Sequence, residues 1–313
     1  MGLSPYIISR RGLLVAGLGM FQVSGQKQDR ISRWVVFGDS SNSKVNYLDG
    51  VFVTTRTVST RGTLLQCLAS PEALYVAADS REDDGETHTD TAFKIFPCGN
   101  TGLCGISGTT RMVFEIRNAQ TGELVSSEVC DIAKLTAAVV ASVSSTRDPR
   151  AQIAKGVWDA LTPFWRRNFT SQRRPAPLLR GKFDPAKVFT ILYSNRINAR
   201  VIISTIDVHD REVQNGDGSF TSTLLTPDIP DAAEFEGIIR TPTLVYAQGQ
   251  PECSPDGGLL PGFKTDDDAK RIVDAIYKRA MEIPNCSASI GGPIDIAKID
   301  DQGRHWVRRK PVQ

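Results

Sequence analysis

The chain has 313 residues, with 37 Lys+Arg against 35 Asp+Glu, a formal net charge of +2, 40% hydrophobic and 23% charged residues. These are the proportions of an ordinary globular protein of one large or two average domains. The near-zero charge gives no drive toward nucleic acid, and no apolar run reaches the roughly 18 residues that span a bilayer, so no stable membrane anchor is expected.

At the N-terminus Arg10 and Arg11 precede a short, mostly apolar stretch from Gly12 to Val23. Val23-Ser24-Gly25 then offers small residues to a signal peptidase. "SRRGLL" also resembles the twin-arginine export motif. Residues 1–25 are expected to be an export signal peptide, with a periplasmic or secreted destination. Residues 26–62 are expected to be a propeptide or extra strands such as "RWVVFG" and "GVFVTTRTV". The folded domain is expected over 63–313.

"TLLQCLA", the turn "SPE" and "ALYVAA" predict a hairpin of two buried strands from Thr63 to Ala78. A polar loop, "DSREDDGETHTDT", leads to the apolar pieces "AFKIF" and "GLCGIS", joined by "PCGNT". "DIAKLTAAVVASVSS" predicts a helix capped by Asp131, with Ile132, Leu135, Ala138 and Val139 on its buried face. A second helix follows, with Asp148 before it, Pro149 in its first turn and Pro163 kinking or ending it. From Val188 a hairpin turns near Asn195 to Asn198, and "TPTLVYAQ" adds a strand. A helix capped by Thr265 carries Asp266 to Asp268 at its positive end and a stripe of Ile272, Ala275, Ile276 and Ala280, with Pro284 beyond it. A hairpin turning at Gly303 closes the chain. Segregated strands and helices predict an α+β fold of antiparallel sheets covered by helices.

Six cysteines permit three disulfides in fifteen connectivities, and Cys67 and Cys104 fit small buried residues in strand patterns. No CxxC pair exists and the three histidines are far apart, so neither metal nor cofactor is expected.

Asp79 stands at the mouth of an apolar strand, and Lys94 lies inside "AFKIF". A charge in either place needs water, a partner or hydrogen bonds, so an Asp79–Lys94 pair is expected. Gly108, in "ISGTT", is expected where a strand gives way to a loop, with no side chain to obstruct an N–H facing an oxyanion. The bland alternatives are a β-branched strand opener at Thr63, a structural ion pair and a turn glycine.

In these positions the chain resembles the proteasome β-subunit group of N-terminal nucleophile (Ntn) hydrolases. That group has a Gly-Thr processing junction, a strand–turn–strand ending in "ADSR", a catalytic Lys, and a Gly after the next strand pair. Here Gly62-Thr63, Asp79, Lys94 and Gly108 fall in that order, Thr63 to Asp79 without a gap and Lys94 offset by one residue. "IGGPIDIAKIDDQG" is similar to the family's late Gly-Gly strand. The resemblance implies a four-layer αββα sandwich and a threonine-type peptidase or amidase. Thr63 would be freed by cleavage after Gly62, Asp79 and Lys94 would assist it, and the Gly108 N–H would hold the oxyanion. Its partners would be a peptide or amide substrate, with a homo-oligomer admitted by the family. The chain departs from the family at Ser287 and Ile290, where an Asp and a Ser stand, at Gln248, where a Ser stands, and at Leu64 and Leu65, where small or hydroxyl residues stand.

The alternative is a catalytically silent binding or scaffold protein on the same fold, like proteasome α-type subunits. A minor alternative is a GDSL-type esterase with Ser40 of "VVFGDSSN" as nucleophile, but His305 follows Asp301 by four residues rather than three. "WRRNFTSQRRP", with Arg166, Arg167, Arg173 and Arg174 beside Trp165 and Phe169, reads as a solvated helix end rather than a nucleic-acid site.

Overall fold

A computed structural model describes residues 33–35, 47–48, 51–61, 64–83, 87–118, 120–143, 149–169, 172–173, 186–197, 200–214, 219–236, 243–248, 253, 265–287 and 289–311. The expected export segment, Ser40, Gly62, Thr63, Asp148 and Arg174 lie outside the described residues.

In chain order the elements are β1 (Arg33–Val35), β2 (Tyr47–Leu48), β3 (Val51–Arg61), β4 (Leu65–Ala69), β5 (Leu74–Ala78), β6 (Glu82–Asp83), β7 (His88–Thr89), β8 (Ile95–Cys98), β9 (Gly102–Asn118) and β10 (Leu124–Asp131). Helices α1 (Ile132–Ser142) and α2 (Arg150–Phe169) follow, then β11 (Gln172–Arg173), β12 (Ala186–Ile197), β13 (Arg200–Gln214), β14 (Ser219–Leu224), β15 (Ala233–Glu236) and β16 (Thr243–Gln248). The chain continues with α3 (Asp266–Met281), α4 (Pro284–Ser287), β17 (Asp295–Asp300) and β18 (Gly303–Arg308). The fold is α+β, with two antiparallel sheets. The larger runs β11-β14-β13-β12-β9-β3-β6-β7, with β1 and β2 on β3, β8 and β10 on β9, and β15 on β13. The smaller runs β16-β4-β5-β17-β18.

Alternation along β4 and β5 explains how the smaller sheet is buried on both faces. Leu65, Cys67, Leu74 and Val76 pack with Ile95, Leu103, Leu192 and Ile203 of the larger sheet. Leu64, Leu68, Tyr75 and Ala77 pack with Val273 and Tyr277 of α3. A third cluster joins Ile106, Phe114, Ile191 and Ile206 of the larger sheet to Ile132, Val157, Leu161 and Phe164 of α1 and α2. Cys253 and Cys286 form a disulfide at the α3 layer, while Cys67, Cys98, Cys104 and Cys130 are free and buried. No described helix is long and apolar enough to cross a membrane.

Several expectations hold at the level of single residues. Asp131 caps α1 by accepting the Lys134 N–H at 2.8 Å. Thr265 caps α3 in a reciprocal box with Asp268. The closing hairpin turns between Asp300 and Gly303, whose φ is +103°.

Others need correction. The strand after "PCGNT" does not stop at Gly108: β9 runs 17 residues, because it changes partners rather than ending. Its first half pairs with β12 up to Phe189↔Gly108, and its second half pairs with β3 from Arg61↔Thr109 onward. The polar loop after Asp79 contains the short β6–β7 pair. Pro163 does not end α2, which continues to Phe169. The stripes are rotated: Ala138 and Ala275 are exposed, while Thr136 and Val140 in α1 and Val273 and Tyr277 in α3 are buried.

Thr265→Ala removes one half of the α3 capping box. It is expected to lower stability by about 1 kcal/mol in urea denaturation without changing the slope of the transition.

Candidate active site

β5, an interior strand of the smaller sheet, ends at Ala78 and places Asp79 just beyond it, where the residue is 1% exposed. Such a group is stable only if its oxygens are saturated. Oδ1 accepts the Leu64 N–H at 3.0 Å and the Lys94 Nζ at 3.3 Å. Oδ2 accepts the Gly291 N–H at 3.0 Å and the Arg81 N–H at 3.3 Å. The expected Asp79–Lys94 pair is therefore present, with both side chains fully buried.

Lys94 also donates to the Arg81 carbonyl. Burial pushes the Lys94 ammonium below its ordinary pKa, and the Asp79 charge opposes that shift. The Lys94 carbonyl accepts the Ile106 N–H at 2.9 Å, which ties the lysine to β9 two residues before Gly108. Gly108 has φ +95°, and a Cβ there would come within 3.0 Å of the Phe189 Cα and the Val188 carbonyl. Only glycine fits a left-handed backbone packed this tightly against its neighbour strand.

The late Gly-Gly has a comparable reason. The Gly291 carbonyl accepts the Ser80 and Arg81 N–H groups at 3.2 and 3.1 Å. A Cβ on Gly291 would lie 2.5 Å from the Arg81 guanidinium carbon, and one on Gly292 would lie 2.5 Å from Ser80 Oγ. Arg81 is held by Asp90, Nε to Oδ1 at 2.8 Å and Nη2 to Oδ2 at 3.1 Å, and it donates to the Ser287 carbonyl at 2.7 Å. The Arg81 hydrogen bond holds the Asp90 carboxyl below the usual carboxylate range.

Gly62 and Thr63 are bracketed by described neighbours. Arg61 ends β3 in the larger sheet, opposite Thr109 on β9 and Asp83 on β6. Leu64 precedes β4 in the smaller sheet, its N–H on Asp79 and its carbonyl accepting the Tyr277 hydroxyl. The described residues on either side thus belong to different sheets, Arg61 to the larger one and Leu64, held by Asp79, to the start of the smaller one.

Sequence reasoning missed three contributors. Tyr277 grips the residue after Thr63, yet its position in α3 gives no cue to that contact. Asp295 and Lys310 form a second pair 3.8 Å apart, each 4% exposed at its side chain. Asp295 sits opposite Ala78, beside Asp79. The Ser80 and Ser107 hydroxyls are buried and have no hydrogen-bond partner among the described residues.

The departures from the family pattern are physical as well. The Ser287 hydroxyl donates to the Pro284 carbonyl at 3.0 Å, and Ile290 is buried among apolar residues beneath α3. Elsewhere, Asp301 is paired with Arg196, and the His305 Nε2 lies 3.8 Å from Asp300. Trp165 and Phe169 are buried in the α2 cluster, so neither offers a stacking face to a nucleic acid. In comparisons with known proteins, no protein-family model matches the chain, and no curated protein matches it significantly.

Lys94→Met is expected to cost about 3–5 kcal/mol in chemical denaturation, because it strands the Asp79 charge in the interior. Adding Asp79→Asn to that variant recovers part of the loss. Burial pushes Lys310 down to about 8 from 10.5. The unfolded chain therefore binds more protons than the folded one between these two values. Through this group stability rises with pH across that window, and a Lys310→Met variant loses that rise in denaturation midpoints measured at pH 7 to 10.

Proposed function

We propose that the chain is an Ntn hydrolase of the proteasome β-subunit type, cutting amide or peptide bonds with Thr63 after cleavage of Gly62–Thr63. The fold would be the four-layer αββα sandwich of that group, with three apolar clusters between α1/α2, the larger sheet, the smaller sheet and α3. The observation that carries the proposal is the buried Asp79–Lys94 pair bound to the N–H of the residue after Thr63. It supplies a cation held at the start of β4, where the sequence puts the nucleophile.

The chemistry follows from these groups. The Thr63 hydroxyl adds to the Gly62 carbonyl carbon, and the peptide C–N bond breaks to give an ester and a free α-amine. Water hydrolyses the ester. In later turnovers the α-amine, with an unperturbed pKa of about 7.7–8.0, takes the hydroxyl proton as Thr63 attacks the substrate carbonyl. That proton passes to the leaving amine, and water then releases the acyl group. The Lys94 ammonium favours the deprotonated hydroxyl. The Gly108 N–H is assigned to the oxyanion, a role worth about 3–4 kcal/mol in hydrolases. The Cys253–Cys286 disulfide is consistent with a chain that acts after export.

A second reading has its own support. Ser287 is turned to Pro284 and Ile290 is apolar, so neither supplies the family's proton relay. The same fold with a silent site, serving as a binding or scaffold protein, accounts for that.

Mass spectrometry of the mature protein separates the two. The hydrolase predicts a new N-terminus at Thr63, lost in Thr63→Ala and slowed about 10²–10⁴-fold in Lys94→Met. It also predicts covalent capture of Thr63 by an electrophile selective for N-terminal threonine. A Gly62–Thr63 bond that stays intact in soluble, folded protein overturns self-activation and leaves the binding role.

A further inference from the structure

We propose that the segment ending at Gly62 is not discarded when the chain is cut but stays in the fold as strand β3, giving a mature protein of two non-covalently associated fragments. This rests on the cleavage proposed above and goes beyond it. The rest of the chain holds β3 through one long ladder to β9 and a single pair with β6, since β1 and β2 lie on the same side of the cut as β3. On one side it pairs with β9 from Val53↔Asn118 to Arg61↔Thr109. On the other it pairs with β1 through Arg33↔Thr57, Trp34↔Arg56 and Val35↔Thr55, and with β6 through Arg61↔Asp83. β2 closes on it through Tyr47↔Phe52 and Leu48↔Val51.

Cutting the peptide bond after Gly62 breaks none of these ladders. β1 and β2 belong to the same fragment, so they leave or stay with β3. Loss of the fragment would strip β9 of one of its two partners from Thr109 to Asn118, leaving only β10 on the other side from Arg111 to Arg117. That stretch includes Met112 and Phe114, which are buried in the core shared with α1 and α2. The backbone groups of β9 facing β3 would then need water or a new strand.

Retention has a consequence for the site. The Arg61 end of the retained strand stays between Thr109 and Asp83. The edge of β9 immediately after Gly108 is therefore filled by the protein's own segment, and an extended peptide cannot add there as a strand while β3 remains. Departure of β3, not the cut itself, is the event that opens that edge.

The test uses the full chain with a C-terminal affinity tag, captured and washed in native buffer, then analysed by denaturing mass spectrometry. The expected result is equimolar recovery of a fragment ending at Gly62 and one starting at Thr63, with separation only in denaturant. A Thr63 fragment recovered alone from soluble, folded protein overturns the inference while leaving the cleavage intact. If the bond is never cut, the cleavage proposal fails by itself. Retention is then read from a variant with a site-specific protease sequence inserted between Gly62 and Thr63, cut in native buffer. Hydrogen exchange gives an independent measure: the amides of 109–118 that face β3 keep their protection after the cut if β3 stays and lose at least tenfold if it leaves, while those that face β10 serve as the internal control.

Discussion

The Asp79 carboxylate is the constraint on which the rest of this structure depends. Its four contacts come from four separate places in the chain: the residue before β4, the residues after β5, the lysine before β8 and the turn before β17. A buried carboxylate with even one of these missing is costly, because a charge in the interior has no water to fall back on. Satisfying it fixes where β4 begins, how far β5 runs and how close the late Gly-Gly turn must come. The absence of side chains at Gly291 and Gly292 is part of the same arrangement, since a Cβ at either would collide with Arg81 or Ser80. Positional precision at this point of the molecule thus comes from electrostatic saturation rather than from apolar packing, which tolerates small shifts.

Gly108 has a different importance. β9 pairs with β8 and β12 up to Gly108 and with β3 and β10 beyond it, and the left-handed backbone at Gly108 sits where these ladders hand over. A regular strand keeps one register and one twist along its length. A single positive φ breaks that regularity without ending the strand. The buried Ser107 and Thr109 flank an exposed Gly108, so its backbone lies open between two buried side chains.

Much of this was legible in the sequence, and the parts that were not have physical reasons. Strands β4 and β5 were visible because they are buried on both faces and read as continuous apolar runs. The Asp131 and Thr265 caps were visible because capping is local chemistry. The Asp79–Lys94 pair was legible because two charges in apolar strands have few other options. The continuity of β9 was hidden because glycine reads as an ending when only nearest neighbours are considered. The helix phases differ from the sequence pattern because small alanines such as Ala138 and Ala275 cost little when exposed, whereas Tyr277 is buried for a contact made far away in sequence, with the Leu64 carbonyl. Nothing local marks Lys310 and Asp295 as a pair, and it is the β5–β17 ladder that sets Asp295 opposite Ala78, next to Asp79.

That second pair is held less tightly than the first. Two ammonium groups buried near each other disfavour one another, and the Lys94 charge is among the causes that lower Lys310. Lys310 donates to the Ala92 carbonyl and lies 4.4 Å from the centre of the Phe93 ring. Its nearest carboxylate is 3.8 Å away, against 3.3 Å between Lys94 and Asp79. Burial also raises the Asp295 carboxyl above its ordinary value, and the Lys310 N–H it accepts opposes that shift. As pH rises past about 8, Lys310 loses its proton, and with it the charge that pairs it to Asp295. The Asp79 carboxylate is held differently, because the N–H groups of Leu64, Arg81 and Gly291 bind it beside Lys94, and none of those three donors titrates.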